Sequence, residues 1–101
     1  MRNTSFFKGF PNHLRRYRKA RGLKQKDVAK ILGFKSASMI SRWEKGVCLP
    51  NTLNLLKLAA LYRTMADALY VDLLRTIKGD LRQKEERVLK KAEAYVQPTD
   101  I

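Results

Sequence analysis

Apolar residues recur at helical spacing over most of this chain, and the pattern is sharpest between residues 22 and 46. Val28, Ala29 and Leu32 stand at i, i+1 and i+4, one stripe of a short helix that Gly33 is placed to end. Ile40 and Trp43 are three apart and share a face of a second helix, which Ser36 or Ser38 can cap. Upstream, Leu14 and Tyr17 mark the buried side of a helix from His13 to about Arg21, with Asn12 as its N-cap after Pro11. Downstream of Gly46 and the loop VCLPN, Asn51 is a cap candidate for a helix from about Thr52 to Leu61. Leu55, Leu58 and Ala59 form its buried stripe. Leu53 and Leu56 lie on a second side, which a lone small domain has no need to cover with leucine. A fifth helix opens at Thr64-Met65-Ala66-Asp67.

From Met65 to about Val96 there is no proline and the composition favours helix. Leu74, Leu81, Val88 and Tyr95 recur at seven-residue intervals, with Tyr70 and Ile77 at intermediate positions. The later intermediate positions are Lys84 and Lys91, which would weaken a coiled-coil seam. Gly79-Asp80 also interrupts the run: Gly79 can end one helix and Asp80 cap the next, which would give a helical hairpin or a hinge. The first thirteen residues place Phe6, Phe7 and Phe10 among polar neighbours. They read as an arm tucked onto the domain, or alternatively as one that contacts a second subunit or a nucleic-acid backbone.

A length of 101 residues suits one domain with an appended element and is short for an enzymatic cleft. Charge is distributed unevenly. Residues 1–65 carry 15 Lys or Arg against Asp27 and Glu44 alone, so the formal net charge of +13 lies wholly in that part. Residues 66–101 carry 7 basic and 7 acidic side chains. Such a surface attracts a polyanion, of which DNA is the commonest, although RNA or an acidic membrane would be drawn to it as well. Cys48, the single cysteine, cannot form an internal disulfide and suits a reducing cytoplasm. No apolar run approaches the ~20 residues of a membrane span, and the start is too short in apolar residues for a secretory signal. A cytoplasmic, nucleoid-associated protein is expected. His13 is the only histidine, with no acidic or cysteine cluster beside it in sequence. No metal-ligand spacing surrounds Cys48, and there is no glycine-rich phosphate loop. The chain therefore reads as a non-enzyme without a metal or other cofactor.

Two short helices joined by a glycine turn make a helix-turn-helix unit, whose second helix enters the DNA major groove. Gly22-Leu23, Gln25, Ala29, Gly33, Ile40-Ser41-Arg42-Trp43-Glu44, Gly46 and Pro50 together resemble the lambda-repressor-like helix-turn-helix family of bacterial and phage regulators. The resemblance runs from about Leu14 to Tyr70. It implies an all-α fold with a five-helix domain over 13–70; outside it, the residue pattern leaves an N-terminal arm over 1–12 and a C-terminal helical extension over 71–101, a candidate dimerisation or partner-binding element. Six residues separate Gly33 from Ile40, one more than is usual in the family, which puts an extra residue around Phe34 to Ser36.

The resemblance also implies roles for single residues. Arg18 would pair with Glu44 as a structural ion pair. Gln25, whose amide and neighbouring free backbone N–H groups can bind a phosphate, would clamp the start of its helix on the DNA strand. With Ile40 and Trp43 inward, the opposite side of the recognition helix carries Ala37, Ser38, Ser41, Arg42 and Lys45. Matching the family backwards from Ile40 puts base contacts on Ala37, Ser38 and Arg42, and phosphate contacts near Lys35, Ser36 and Lys45. Arg42 is the strongest reader, because its fork matches guanine O6 and N7, while Ser38 and Ser41 bond bases or phosphates with little selectivity.

The reading that follows is a sequence-specific DNA-binding transcriptional regulator, a repressor acting on a pseudopalindromic operator as a homodimer. Two alternatives stand beside it. One is an antitoxin that represses its own operon and holds a toxin or other protein partner through the C-terminal extension. The other is a helix-turn-helix adaptor for RNA or protein.

Overall fold

A computed structural model describes residues 9–95. Its helices are α1 (Leu14–Ala20), α2 (Gln25–Leu32), α3 (Ser38–Glu44), α4 (Thr52–Tyr62), α5 (Ala66–Leu69) and α6 (Val71–Tyr95). No strand occurs among the described residues, so the chain is all-α. Phe6 and Phe7 of the expected arm, the side chain of Tyr95 and Val96 lie outside the described part.

The expected stripes become the core. Leu14 of α1, Val28 of α2, Ile40 and Trp43 of α3, Leu58 of α4 and Leu69 of α5 are the largest side chains shielded almost completely from solvent. Ala29, Ala59, Tyr62, Tyr70 and Leu73 complete the cluster. Leu55 is half-buried at its edge, whereas Leu53 and Leu56 on the other side of α4 are exposed. Asn51 caps α4 as expected, its side-chain oxygen accepting the Asn54 N–H at 2.8 Å.

Helix ends follow one pattern. After α2, the Phe34 N–H donates to the Ala29 carbonyl at 2.8 Å and the Gly33 N–H to that of Lys30 at 3.1 Å, with Gly33 left-handed at φ 84°. This is the Schellman closure, which satisfies carbonyls the helix leaves open. Gly22, Gly46 and Arg63 end α1, α3 and α4 by the same pair of bonds. Arg63 is the only non-glycine with positive φ among the described residues.

The longer turn is absorbed ahead of α3. Phe34 is anchored, its ring edge-on to Trp43 with centroids 5.8 Å apart, while Lys35 and Ser36 bulge into solvent. The expected serine cap takes a different form. Ala37 occupies the capping position without a side-chain bond, and the Ser36 hydroxyl only reaches the Ser38 N–H at 3.4 Å.

In the C-terminal extension Gly79 does not end a helix and Asp80 does not start a second one; α6 runs through both residues to Tyr95. An interior glycine costs about 1 kcal/mol relative to alanine. Stopping there would forfeit several hydrogen bonds and require a second, unfavourable nucleation. Asp80 instead supports the next turn, pairing with Lys84 at 3.1 Å. The base of α6 is fixed to α1, because His13 donates its backbone N–H to the Leu69 carbonyl at 2.9 Å and its ring meets Asp72 at 3.1 Å. Beyond Asp80 every described side chain is exposed, and α6 as a whole is a rod of about 37 Å within a molecule measuring 62 × 32 × 21 Å.

Candidate nucleic-acid interface

Burial of Ile40 and Trp43 decides which edge of α3 faces outward. At 100° per residue, Ser38, Ser41, Arg42 and Lys45 then fall within roughly a quarter of the helix circumference on the opposite side. Ser38, Arg42 and Lys45 are exposed and Ser41 is half-buried. Lys35 and Ser36 stand exposed on the turn at the N-terminal end of the same edge, where the Ser36 and Ser38 hydroxyls bond each other at 2.7 Å. Ala37 differs from its neighbours, since it is half-buried and packs against the core. Met39, which the pattern did not single out, is exposed beside this edge.

The orientation of α3 is held by Glu44 at its last turn. Arg18 Nε donates to Glu44 Oε2 at 2.6 Å and Arg18 Nη2 to Oε1 at 3.1 Å. Gln25 Nε2 donates to the same Oε1 at 2.9 Å, and Arg18 Nη1 binds the Leu23 carbonyl at 2.9 Å. One carboxylate therefore joins α1, α2 and α3. The hydrogen bond to Glu44 raises the Arg18 pKa above its ordinary value against the opposing effect of burial. The Gln25 contact is one that sequence reasoning missed: its amide nitrogen is engaged inside the protein, which leaves its second N–H and its oxygen for any outside ligand.

Above this buried pair, Arg15, Gln25, Ser41 and Lys45 rim a shallow polar hollow with Arg18 and Glu44 at its floor. Three cations against one carboxylate make the hollow suited to an anion. The surrounding surface is equally one-signed. Arg16, Lys19, Lys26, Lys30, Lys35 and Arg42 are exposed. The only two acids between residues 9 and 65 are both occupied, Asp27 accepting the Lys24 N–H at 2.8 Å and Glu44 accepting from Arg18 and Gln25. Arg21 is tied into the fold instead, its Nε donating to the Leu61 carbonyl at 3.1 Å and linking α1 to the end of α4.

A second fastening was not legible in the sequence. Asn12 was expected to cap α1, and its Oδ1 does accept the Leu14 N–H at 3.0 Å. Its Nδ2 also donates to the Trp43 carbonyl at 3.1 Å and, longer, to that of Glu44 at 3.3 Å, and the Phe10 N–H bonds the Gly46 carbonyl at 2.9 Å. The segment preceding α1 thus straps the C-terminal end of α3. An asparagine ahead of a helix signals a cap, and nothing local reveals that its amide will meet residues more than 30 positions away.

In comparison with known families, a helix-turn-helix family model matches residues 14–67, from the start of α1 into α5. Comparisons with curated proteins and with solved structures gave no match. Spanning more than half of the chain and all three helices joined at Glu44, the match shows that this protein belongs to the lambda-repressor-like helix-turn-helix family of DNA-binding transcriptional regulators.

Proposed function

We propose that this regulator is a sequence-specific repressor that binds a pseudopalindromic operator as a homodimer, with residues 13–70 reading DNA and 71–101 joining the subunits. The observation that carries this reading is the outward edge of α3, polar and free of acid, on a helix locked by Glu44 and the Asn12 strap. Arg42 reads a guanine through its fork, and Ser38 makes the less selective base contact. Ala37, turned toward the core, is left with at most a thymine methyl at its exposed margin. Lys35, Ser36 and Lys45 meet phosphates on either side. A further phosphate sits over the hollow rimmed by Gln25, Ser41 and Lys45, where Gln25 offers its remaining amide N–H. Occupying a promoter is sufficient for repression. Two copies on a two-fold axis double the discrimination of roughly 1–3 kcal/mol per base pair that one small module obtains.

The test compares Arg42→Ala with Lys45→Ala on the preferred duplex and on random DNA over a salt series. Arg42→Ala is expected to lose ten- to a hundredfold in preference at one or two base pairs, with non-specific binding nearly intact. Lys45→Ala is expected to weaken all sequences alike and to lower the salt slope by about 1. Equal losses on every sequence for Arg42→Ala would make it a phosphate contact and remove the reader from this account.

A further inference from the structure

α6 leaves an apolar stripe without a partner. Leu74, Ile77, Leu81, Val88 and Ala92 fall within about 60° of each other on the helix circumference. Ile77, Leu81 and Val88 are 38%, 56% and 65% exposed, fractions that rise with distance from the domain. At the base of α6 the stripe runs into an apolar groove lined by Leu49, Pro50, Leu55, Tyr70, Leu73 and Ile77. Stripe and groove are one continuous surface.

Charges beside the stripe discriminate between the ways a second copy can cover it. One flank carries Lys78 and Glu85, the other Asp80 and Arg87. A parallel pair in register would stack Lys84 on the partner's Lys84 and Lys91 on the partner's Lys91 in its core, and would face Asp80 with the partner's Glu85. An antiparallel pair centred between residues 82 and 83 has opposite consequences. Lys78 faces the partner's Glu85 and Asp80 faces the partner's Arg87, each contact occurring twice about the two-fold axis. Shifting that register by one heptad in either direction brings like charges together, Lys78 against the partner's Lys78 or Glu85 against the partner's Glu85. In the matched register Ile77 lies level with the partner's Val88, so the exposed end of each α6 enters the groove at the base of the other. Lys84 and Lys91, at the seam, keep their ammonium groups in water while their stems cover leucine.

We propose that α6 pairs with α6 of a second copy in this antiparallel register, the C-terminal end of each helix filling the other's basal groove. The proposal deepens the dimeric reading of the function and rests on it. It separates the two Val71 residues by about 35 Å along the shared axis, close to one turn of B-DNA.

Disulfide cross-linking of the full chain, without DNA, tests it. In a Cys48→Ala background, protein carrying Ile77→Cys is mixed with protein carrying Val88→Cys and mildly oxidised. The mixture is expected to form a 77–88 link. Each protein alone is expected to stay unlinked, because identical positions lie about 16 Å apart along the axis, too far for a disulfide. Links within each protein alone would show a parallel pair and overturn the proposal, as would no link in any sample. Equilibrium sedimentation gives an independent reading. Glu85→Lys should weaken dimerisation roughly tenfold, with recovery in the Lys78→Glu/Glu85→Lys double variant; failure to recover also overturns it. Intact 77–88 links with no operator selected would count against the DNA reading alone.

Discussion

Glu44 is the residue where three helices meet, and its energetics explain why α3 holds one orientation. Its side chain is 5% exposed and that of Arg18 is 9% exposed, so both charges leave water. Desolvation of such a pair offsets most of the attraction, and its net stabilisation is small. Losing one member is different, since the survivor would be buried without a counter-charge at a cost of about 3–5 kcal/mol. The pair therefore specifies geometry more than it adds stability. Tyr62 lies against it, and its phenol is pushed up first by burial and then by the Glu44 charge. Burial, with a smaller effect from Cys48, pushes the Tyr70 phenol up to about 12. Both shifts bear on alkaline stability. Below pH 10 Tyr70 is protonated in the folded and the unfolded chain, and its contribution to stability is fully present. Between pH 10 and about 12 the unfolded chain releases a proton that the folded chain retains, so stability falls as pH rises through that window. Among the described residues the Tyr70 hydroxyl has no hydrogen-bond partner, so Tyr70→Phe should be nearly neutral at pH 7. It should reduce the loss between pH 10 and 12 by about 2 kcal/mol, read from urea midpoints across pH. Identical pH profiles for the two proteins would refute the assignment.

At the scale of elements, the ends of the helices do as much as their apolar faces. Gly33 and Gly46 close α2 and α3 with similar backbones, at φ 84° and 77°. Their surroundings differ. A Cβ at Gly33 would meet nothing within 4 Å, whereas at Gly46 it would lie 2.8 Å from the Phe10 carbonyl oxygen and 2.9 Å from the Phe10 nitrogen. Gly33→Ala should therefore cost only the left-handed backbone, about 1 kcal/mol, and Gly46→Ala about 2–3 kcal/mol because the strap must move as well. Equal losses in urea unfolding would mean that the strap contributes nothing to holding α3. This contrast also marks how far the sequence could be read. Val28, Ile40, Trp43 and Leu58 announced the core through spacing alone, and Asn51 and Gly33 announced helix ends through local backbone chemistry. The readings of Asn12 and Gln25 were incomplete because their further partners, Trp43 and Glu44, are close only after folding. Gly79 misled for the reverse reason: a local breaker signal of about 1 kcal/mol is outweighed by the continuity of a 25-residue helix. The outward edge of α3 was legible because it is the complement of the core face.

For the molecule as a whole, the two halves divide the work by charge. The half containing α1 to α4 carries the entire formal excess of +13 and presents it without exposed acid, while α6 is balanced and amphipathic. The first property supplies salt-dependent attraction to a phosphate backbone, and the second is the basis of the proposed pairing with another copy. Neither gives sequence preference, which the proposed reading assigns to Arg42 and its neighbours on α3. Among the described residues no helix is long and apolar enough to cross a membrane. The most direct measurement is selection of bound sequences from a random duplex DNA library near physiological salt, using the full chain. The account predicts an enriched inverted repeat whose half-sites each contain a guanine that Arg42→Ala ceases to select. Binding that enriches no motif and simply fades as salt rises would contradict it, leaving a basic surface without a reader.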